Sequence, residues 1–250
     1  MGEGILGRIA RKPREPSAAG FIIVSTLTGL YQAGADSPGL IVLGLTVMMV
    51  HLFTFDPILD EARRWNIRWL ALLAAVNLAP YVYGLVEGSY AVYKALTVSL
   101  TVIGLHLILA SRMRWNNPWV YITGSAITTL PAISIPALLV GELNTRILVA
   151  WAATAIYIAA SSAYIESRLP FRELDPRIPL LVWLPVYILC WWSRILCIAF
   201  IEPLFRYTLN ILKPSKITGG AQAIKRFGWS EFTRFIMYTI LINAALGIAA

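Results

Sequence analysis

Two acids four residues apart, Asp56 and Asp60, stand in the stretch HLFTFDPILDEARRW at 51–65, with Glu61 beside the second. On a helix that spacing puts both carboxylates on one face. Such a pair can hold Mg²⁺, and Mg²⁺ can hold a diphosphate. A second set, Glu166, Glu173 and Asp175, lies among three arginines in YIESRLPFRELDPR. Metal ions held by two such sets would neutralise a diphosphate leaving group, and basic side chains would complete the clamp.

Other residues invite different chemistry. His51 and His106 are the only histidines. One from each of two facing helices is what a single bis-histidine haem b needs. A haem is not the favoured expectation: a histidine bonded to a backbone carbonyl or to a carboxylate such as Asp56 is the plainer reading. Glu202 falls well inside an apolar run, with Arg206 one helical turn on. An acid at membrane depth is costly if it faces lipid, so it points either to a ligand or proton path or to a packed Glu–Arg pair. Asn77, Asn243 and the small polar run TGSAITT at 123–129 could line an interior or simply allow close helix packing. The basic loop KPSKITGGAQAIKRFGW lacks a nucleotide P-loop pattern and suits an anionic lipid surface.

The elements that must position these groups are membrane helices. The chain is 58 % hydrophobic and only 14 % charged, against roughly 25 % charged in soluble domains. Its apolar residues come in runs of about twenty between short charged loops, the pattern of a polytopic all-α membrane protein. Nine spans are expected, at 17–33, 38–55, 67–86, 91–110, 117–140, 145–164, 178–192, 195–212 and 232–249, forming one transmembrane domain over 1–250. The 178–212 region is split at CWWSR, because one helix of that length would rise about 52 Å, well past a ~30 Å hydrocarbon core. The charged stretches at 56–65 and 165–177 then fall in loops. As interfacial turns they are expected to be charged, and acids paired with neighbouring arginines are the plainer reading of both.

Charge sets the orientation. With the N-terminus in the cytoplasm, only Lys94, Arg146 and Arg194 of the 21 lysines and arginines fall outside, a strong positive-inside bias. The net charge of +8 is explained by topology, so nucleic acid is not expected as a partner. Cys190 and Cys197 match neither a zinc motif nor a disulfide framework. No cleavable signal peptide is expected, and Leu6 does not suit N-myristoylation of Gly2.

Five stretches in order, KPREPSAAGF, FTFDPILDEARR, WVYITGSAIT, AYIESRLPFRE and KPSKITGGAQAIKRFGWSEF, resemble the YwiC-like family of membrane proteins. Members tend to show REHGAW where this chain reads REPSAAG, and the family name brings no mechanism with it. The architecture is also similar to the UbiA-type prenyltransferases, with nine helices around a lipid-open cavity and aspartate-rich motifs after helices two and six. The full NDxxDxxxD is absent here. The resemblance implies that Asp56, Asp60 and Glu61 hold Mg²⁺. It implies that Glu166, Glu173 and Asp175 hold a second ion or position an acceptor, and that Arg14, Arg168 and Arg172 hold phosphate. Glu202 and Arg206 would contact the ligand.

The leading expectation is therefore a protein of the cell membrane that binds an isoprenoid or quinone-type lipid, with prenyl transfer left open. The first alternative is a non-catalytic subunit of a larger membrane complex, such as a respiratory one. A small-solute transporter is the third reading, supported by Glu202 and the proline-broken seventh span.

Overall fold

In the computed structural model, described for residues 9–11, 16–114 and 117–248, all regular structure is helical and no strand occurs among those residues. The helices are α1 (Pro16–Gln32), α2 (Pro38–Arg63), α3 (Ile67–Leu78), α4 (Val82–Val86), α5 (Tyr90–Arg112), α6 (Pro118–Ile127), α7 (Pro131–Val140), α8 (Thr145–Arg168), α9 (Ile178–Trp183), α10 (Arg194–Ala199), α11 (Ile201–Leu212) and α12 (Gly220–Ile248). A 3₁₀ turn, Ala79–Tyr81, joins α3 to α4, and a longer 3₁₀ run, Leu184–Trp191, follows α9. Seven helical stretches are long and apolar enough to cross a membrane: 38–63, 67–86, 90–112, 118–140, 145–168, 194–212 and 220–248. The remaining two expected spans are shorter, 17 residues in α1 and the apolar stretch 178–191. The chain is a polytopic helical membrane protein.

Prolines decide where these helices start, bend and break. Ser37 caps α2 by accepting from the Leu40 amide at 3.3 Å, with Pro38 in the first turn, where a missing N–H costs nothing. Asn117 and Pro118 start α6 in the same way. Thr128 and Thr129 turn their hydroxyls onto the carbonyls of Ser125 and Ala126 where α6 ends, and Pro131 opens α7. Pro203 offers no N–H to the carbonyl four residues back, Ala199, where α10 gives way to α11. Pro57 sits inside α2 and leaves the Phe53 carbonyl without its helical donor. The Arg11 amide takes that carbonyl instead, at 2.9 Å, so a proline gap straps the N-terminal segment to α2.

Several expected boundaries are corrected. α2 does not stop at 55 but runs to Arg63, so Asp56, Asp60 and Glu61 are helical. It ends in a Schellman turn: Trp65 has φ 51° and the Asn66 amide reaches the Glu61 carbonyl at 3.0 Å. Charge ends an apolar run without ending its hydrogen-bond ladder. Glu166 likewise lies in the last turn of α8, and α12 begins at Gly220 within the expected basic loop. The split at CWWSR is present, with Ser193 extended between the 3₁₀ run and α10. Cys190 and Cys197 are joined by a disulfide with Cα atoms 5.5 Å apart, against the expectation of unpaired cysteines. The helix break between them folds the two positions together.

The described residues form two compact units. Unit one comprises residues up to 107 with 130–147, and unit two comprises 108–129 with 148 onward. The core of unit one includes Leu30, Val47, Tyr81, Val92 and Ile135. α1 and α7 pack closely there: a β-carbon on Gly29 would lie 2.9 Å from the Pro131 carbonyl oxygen. The core of unit two is aromatic. Tyr157 stacks on Tyr238 with ring centres 4.2 Å apart, and Trp183 meets Tyr157, Phe200, Tyr207 and Tyr238 edge-on.

Candidate functional site

In unit one, the acids of α2 face arginines. Asp60 pairs with Arg11 and lies 3.9 Å from Arg63, Glu61 lies 3.8 Å from Arg64, and Asp56 is buried. Arg14 lies outside the described residues. One turn earlier on the same helix runs a partly buried polar chain. Asn77 donates to the Leu73 carbonyl at 2.8 Å and to Thr54 Oγ1 at 2.9 Å. Its amide is thereby oriented, and Oδ1 is presented to His51 Nδ1 at 2.7 Å. His51 Nδ1 therefore carries a proton. The other ring nitrogen, Nε2, meets the Tyr81 hydroxyl at 2.9 Å, and Tyr81 meets Ser134 Oγ at 2.8 Å. Both ring nitrogens of His51 are thus engaged by protein groups, and Asp56 is not one of them. A haem iron could reach either only by displacing Asn77 or Tyr81. His106 is buried on α5. Sequence reasoning missed Tyr81 and Ser134, which look like ordinary apolar-run residues until the 3₁₀ turn at Ala79–Tyr81 aims the phenol inward.

In unit two, the acids and arginines at the end of α8 and just after it are tied into the loop that precedes α12. Glu166 pairs with Arg172 at 2.8 Å. Lys216 donates to the carbonyls of Ser167 and Arg172, and the Ile217 amide to that of Arg168. Asn210 links α11 to the same turn through Ser167 Oγ and the Pro176 carbonyl, and Arg168 approaches Asn210 Oδ1 at 3.5 Å. Asp175 accepts from the Arg177 amide at 2.8 Å, and Glu173 is exposed. Beside this cluster opens a cleft of about 480 Å³ lined by Arg114, Asn117, Pro118, Phe171, Arg172 and Glu173. The Arg172 guanidinium lies over the rings of Tyr121 and Phe171, at 5.2 and 5.7 Å from their centres. Phe171 is two-thirds exposed. The cleft therefore offers Arg114, the Glu166-paired Arg172 and the Glu173 carboxylate beside an exposed aromatic and proline edge.

Deeper in unit two lies the most developed polar cluster. Arg206, buried on α11, pairs with Glu231 of α12, which is 2 % exposed. It also meets Glu202 at 3.3 Å and donates to the hydroxyls of Tyr157 and Tyr207 at 3.2 and 3.3 Å. Ser161 donates to Glu231 at 3.0 Å, and Arg234 binds its other oxygen at 2.6 Å. The expected Glu202–Arg206 pair is present, but the dominant partner is Glu231. Nothing local in the sequence ties that residue, 25 positions away, to Arg206. Asn243 donates to the Thr239 carbonyl of its own helix. In the 123–129 run, Ser125 meets Ser162 and Thr129 accepts from Trp151.

The acids expected to hold Mg²⁺ are divided between the units: Asp56, Asp60 and Glu61 in unit one, Glu166, Glu173 and Asp175 in unit two. Among the described residues no group of three or more His, Cys, Asp or Glu side chains is placed to hold a metal ion. No protein-family model, curated protein or solved structure matches the chain.

Proposed function

We propose that this protein resides in the cell membrane, crosses it nine times from a cytoplasmic N-terminus, and binds an isoprenoid lipid through an anionic head such as a diphosphate. The carrying observation is the cleft of unit two, where Arg114 and Arg172 stand beside Phe171 and two prolines, Pro118 and Pro170. A phosphate group takes paired N–H donors from a guanidinium, and the exposed Phe171 offers an apolar surface for a polyprenyl tail. The resemblance to UbiA-type prenyltransferases points to the same ligand class. Binding rather than turnover is the reading we favour. Asp60 and Glu61 are engaged by arginines, as is Glu166, and a diphosphate held through magnesium needs carboxylates released to the metal. A quinone-type lipid would use the same cleft through its carbonyl oxygens.

The test is purification from native membranes in mild detergent, with mass spectrometry of bound lipids and proteins. Titration with farnesyl diphosphate follows, read by tryptophan fluorescence. An isoprenoid lipid on the purified chain, with farnesyl diphosphate binding weakened by Arg114→Ala, is the expected result. Unchanged binding by that variant overturns the site. A stoichiometric set of other membrane proteins overturns the stand-alone reading in favour of a subunit role.

A further inference from the structure

α11 carries a charge on the wrong side. Its buried face is Pro203, Arg206, Tyr207 and Asn210. Its outer face continues from α10 as Ile198, Ile201, Phe205, Leu209 and Leu212, all exposed. This is the apolar stripe a lipid-facing helix presents. Glu202 sits in that stripe with 57 % of its side chain exposed. Counted along α10 and α11, it is about 12 Å from Arg194 and about 15 Å from Leu212 at a helical rise of ~1.5 Å per residue. That is the middle of the span. Arg234 lies beside it, 3.8 Å away and 42 % exposed, near the start of the apolar half of α12.

An ionised carboxylate at mid-membrane depth is expensive when it faces hydrocarbon, and a glutamate is too short to reach either interface. Arg206 and Arg234 lessen the cost from one side only. An acid at that depth faces protein or a water-filled cavity, and the apolar stripe around Glu202 offers no polar wall to hold water. The surface supplies one acid and one base together, and Glu202, Arg206, Glu231 and Arg234 sum to zero charge. A partner therefore has no net charge to bring. A base brought to Glu202 and an acid brought to Arg234 would close the open side of a pair already backed by Arg206 and Glu231. A second copy related by a two-fold axis brings both, since an isologous interface returns every contact in reverse.

We propose that the Glu202–Arg234 face of α11 and α12 is a homodimer interface within the membrane, with Glu202 of each copy facing Arg234 of the other. The flanking Phe205 and Leu209, with Met237 of α12, would form its apolar rim.

The experiment is oxidative cross-linking in membranes. A background carrying Cys190→Ser and Cys197→Ser leaves no native cysteine. Single cysteines are then placed at Phe205, beside Glu202, and at Val42, an exposed position on α2. A product of twice the chain mass is expected from Phe205→Cys and not from Val42→Cys, and Glu202→Gln should largely abolish it. No product at Phe205, an equal product at Val42, or a product of any other mass overturns the proposal. The Phe205 and Val42 arms decide even where Glu202→Gln fails to fold, because neither alters the ion pairs.

Discussion

Arg206 is held between Glu231, which is buried, and Glu202, which is exposed, and is capped by two phenols, so Glu231 is its main buried counter-charge. Removing Arg206 leaves the buried Glu231 with only Arg234 and Ser161, and losing one partner of a buried pair costs up to about 3–5 kcal/mol. Arg206→Met is expected to lower thermal stability in detergent by that order, read from tryptophan fluorescence. Arg206→Met with Glu231→Met should recover most of the loss, since a buried pair replaced by apolar groups is often near neutral and Glu202 keeps Arg234. If the double variant is no more stable than the single one, the pair is not the unit that matters. Tyr81 is a second such point. Tyr81→Phe deprives both His51 Nε2 and Ser134 Oγ of a partner, and a buried group left unsatisfied costs roughly 1–3 kcal/mol. Ser134→Ala removes only the far end of the chain and should cost less. A reversed order in the two unfolding midpoints would refute the chain as drawn. At this scale the sequence shows what lies within one helical turn. Glu202 with Arg206, and Asp56 with Asp60, follow from spacing alone. Glu231 and Tyr81 do not, because the first meets Arg206 from another helix and the second depends on a 3₁₀ turn.

Elements were legible as apolar runs, while their ends were not. The expected end of α2 at residue 55 mistook a change of side-chain polarity for a change of backbone. The ladder continues two more turns, until Trp65 takes a left-handed conformation. The breaks follow proline chemistry that the sequence does carry: Pro131 opens α7, and Pro203 interrupts the α10–α11 span. The carbonyl freed by Pro57 finds its donor in Arg11, which no local pattern announces. Helix approach makes its own prediction. Gly29 admits the Pro131 carbonyl where a β-carbon would stand 2.9 Å away, with Pro136 at 3.1 Å, and both neighbours are too rigid to yield cheaply. Gly29→Ala is expected to destabilise unit one by about 1–3 kcal/mol, the range for overpacking. Gly104, inside α5, has open space for 4 Å around the place a β-carbon would take. It should tolerate alanine and gain up to about 1 kcal/mol of helix propensity. Thermal unfolding of the two variants side by side checks the contrast, and equal shifts would refute it.

For the whole molecule the open question is how many times the chain crosses, and the deciding segment is 178–191. Fourteen α-helical residues would rise only about 21 Å. Here six residues are α-helical and eight are 3₁₀. At ~1.5 and ~2.0 Å per residue these rise about 25 Å, close to a thinned hydrocarbon core. Pro179 sits in the first turn of the α-helical part and Pro185 in the first turn of the 3₁₀ run, and the tighter coil lengthens the segment. The disulfide bears on the same question. Cys190 and Cys197 flank the break at Ser193, and a bonded pair persists on the oxidising side of a membrane. With the N-terminus in the cytoplasm and α1 spanning, that turn is outside only if 178–191 crosses. Crossing also returns Lys213, Lys216, Lys225 and Arg226 to the cytoplasmic side, where the other basic loops lie. Reporter fusions are the measurement. Alkaline phosphatase joined after Ser193 or after Ala250 should be active, and a fluorescent protein at those points dark. The reverse should hold after Lys216. If 178–191 does not cross, all three readings invert, and maleimide should then label both cysteines without prior reduction. Agreement between fusions and thiol labelling would place the 190–197 turn by two independent routes, and a fusion after Ala35, active only if α1 crosses, then fixes the count.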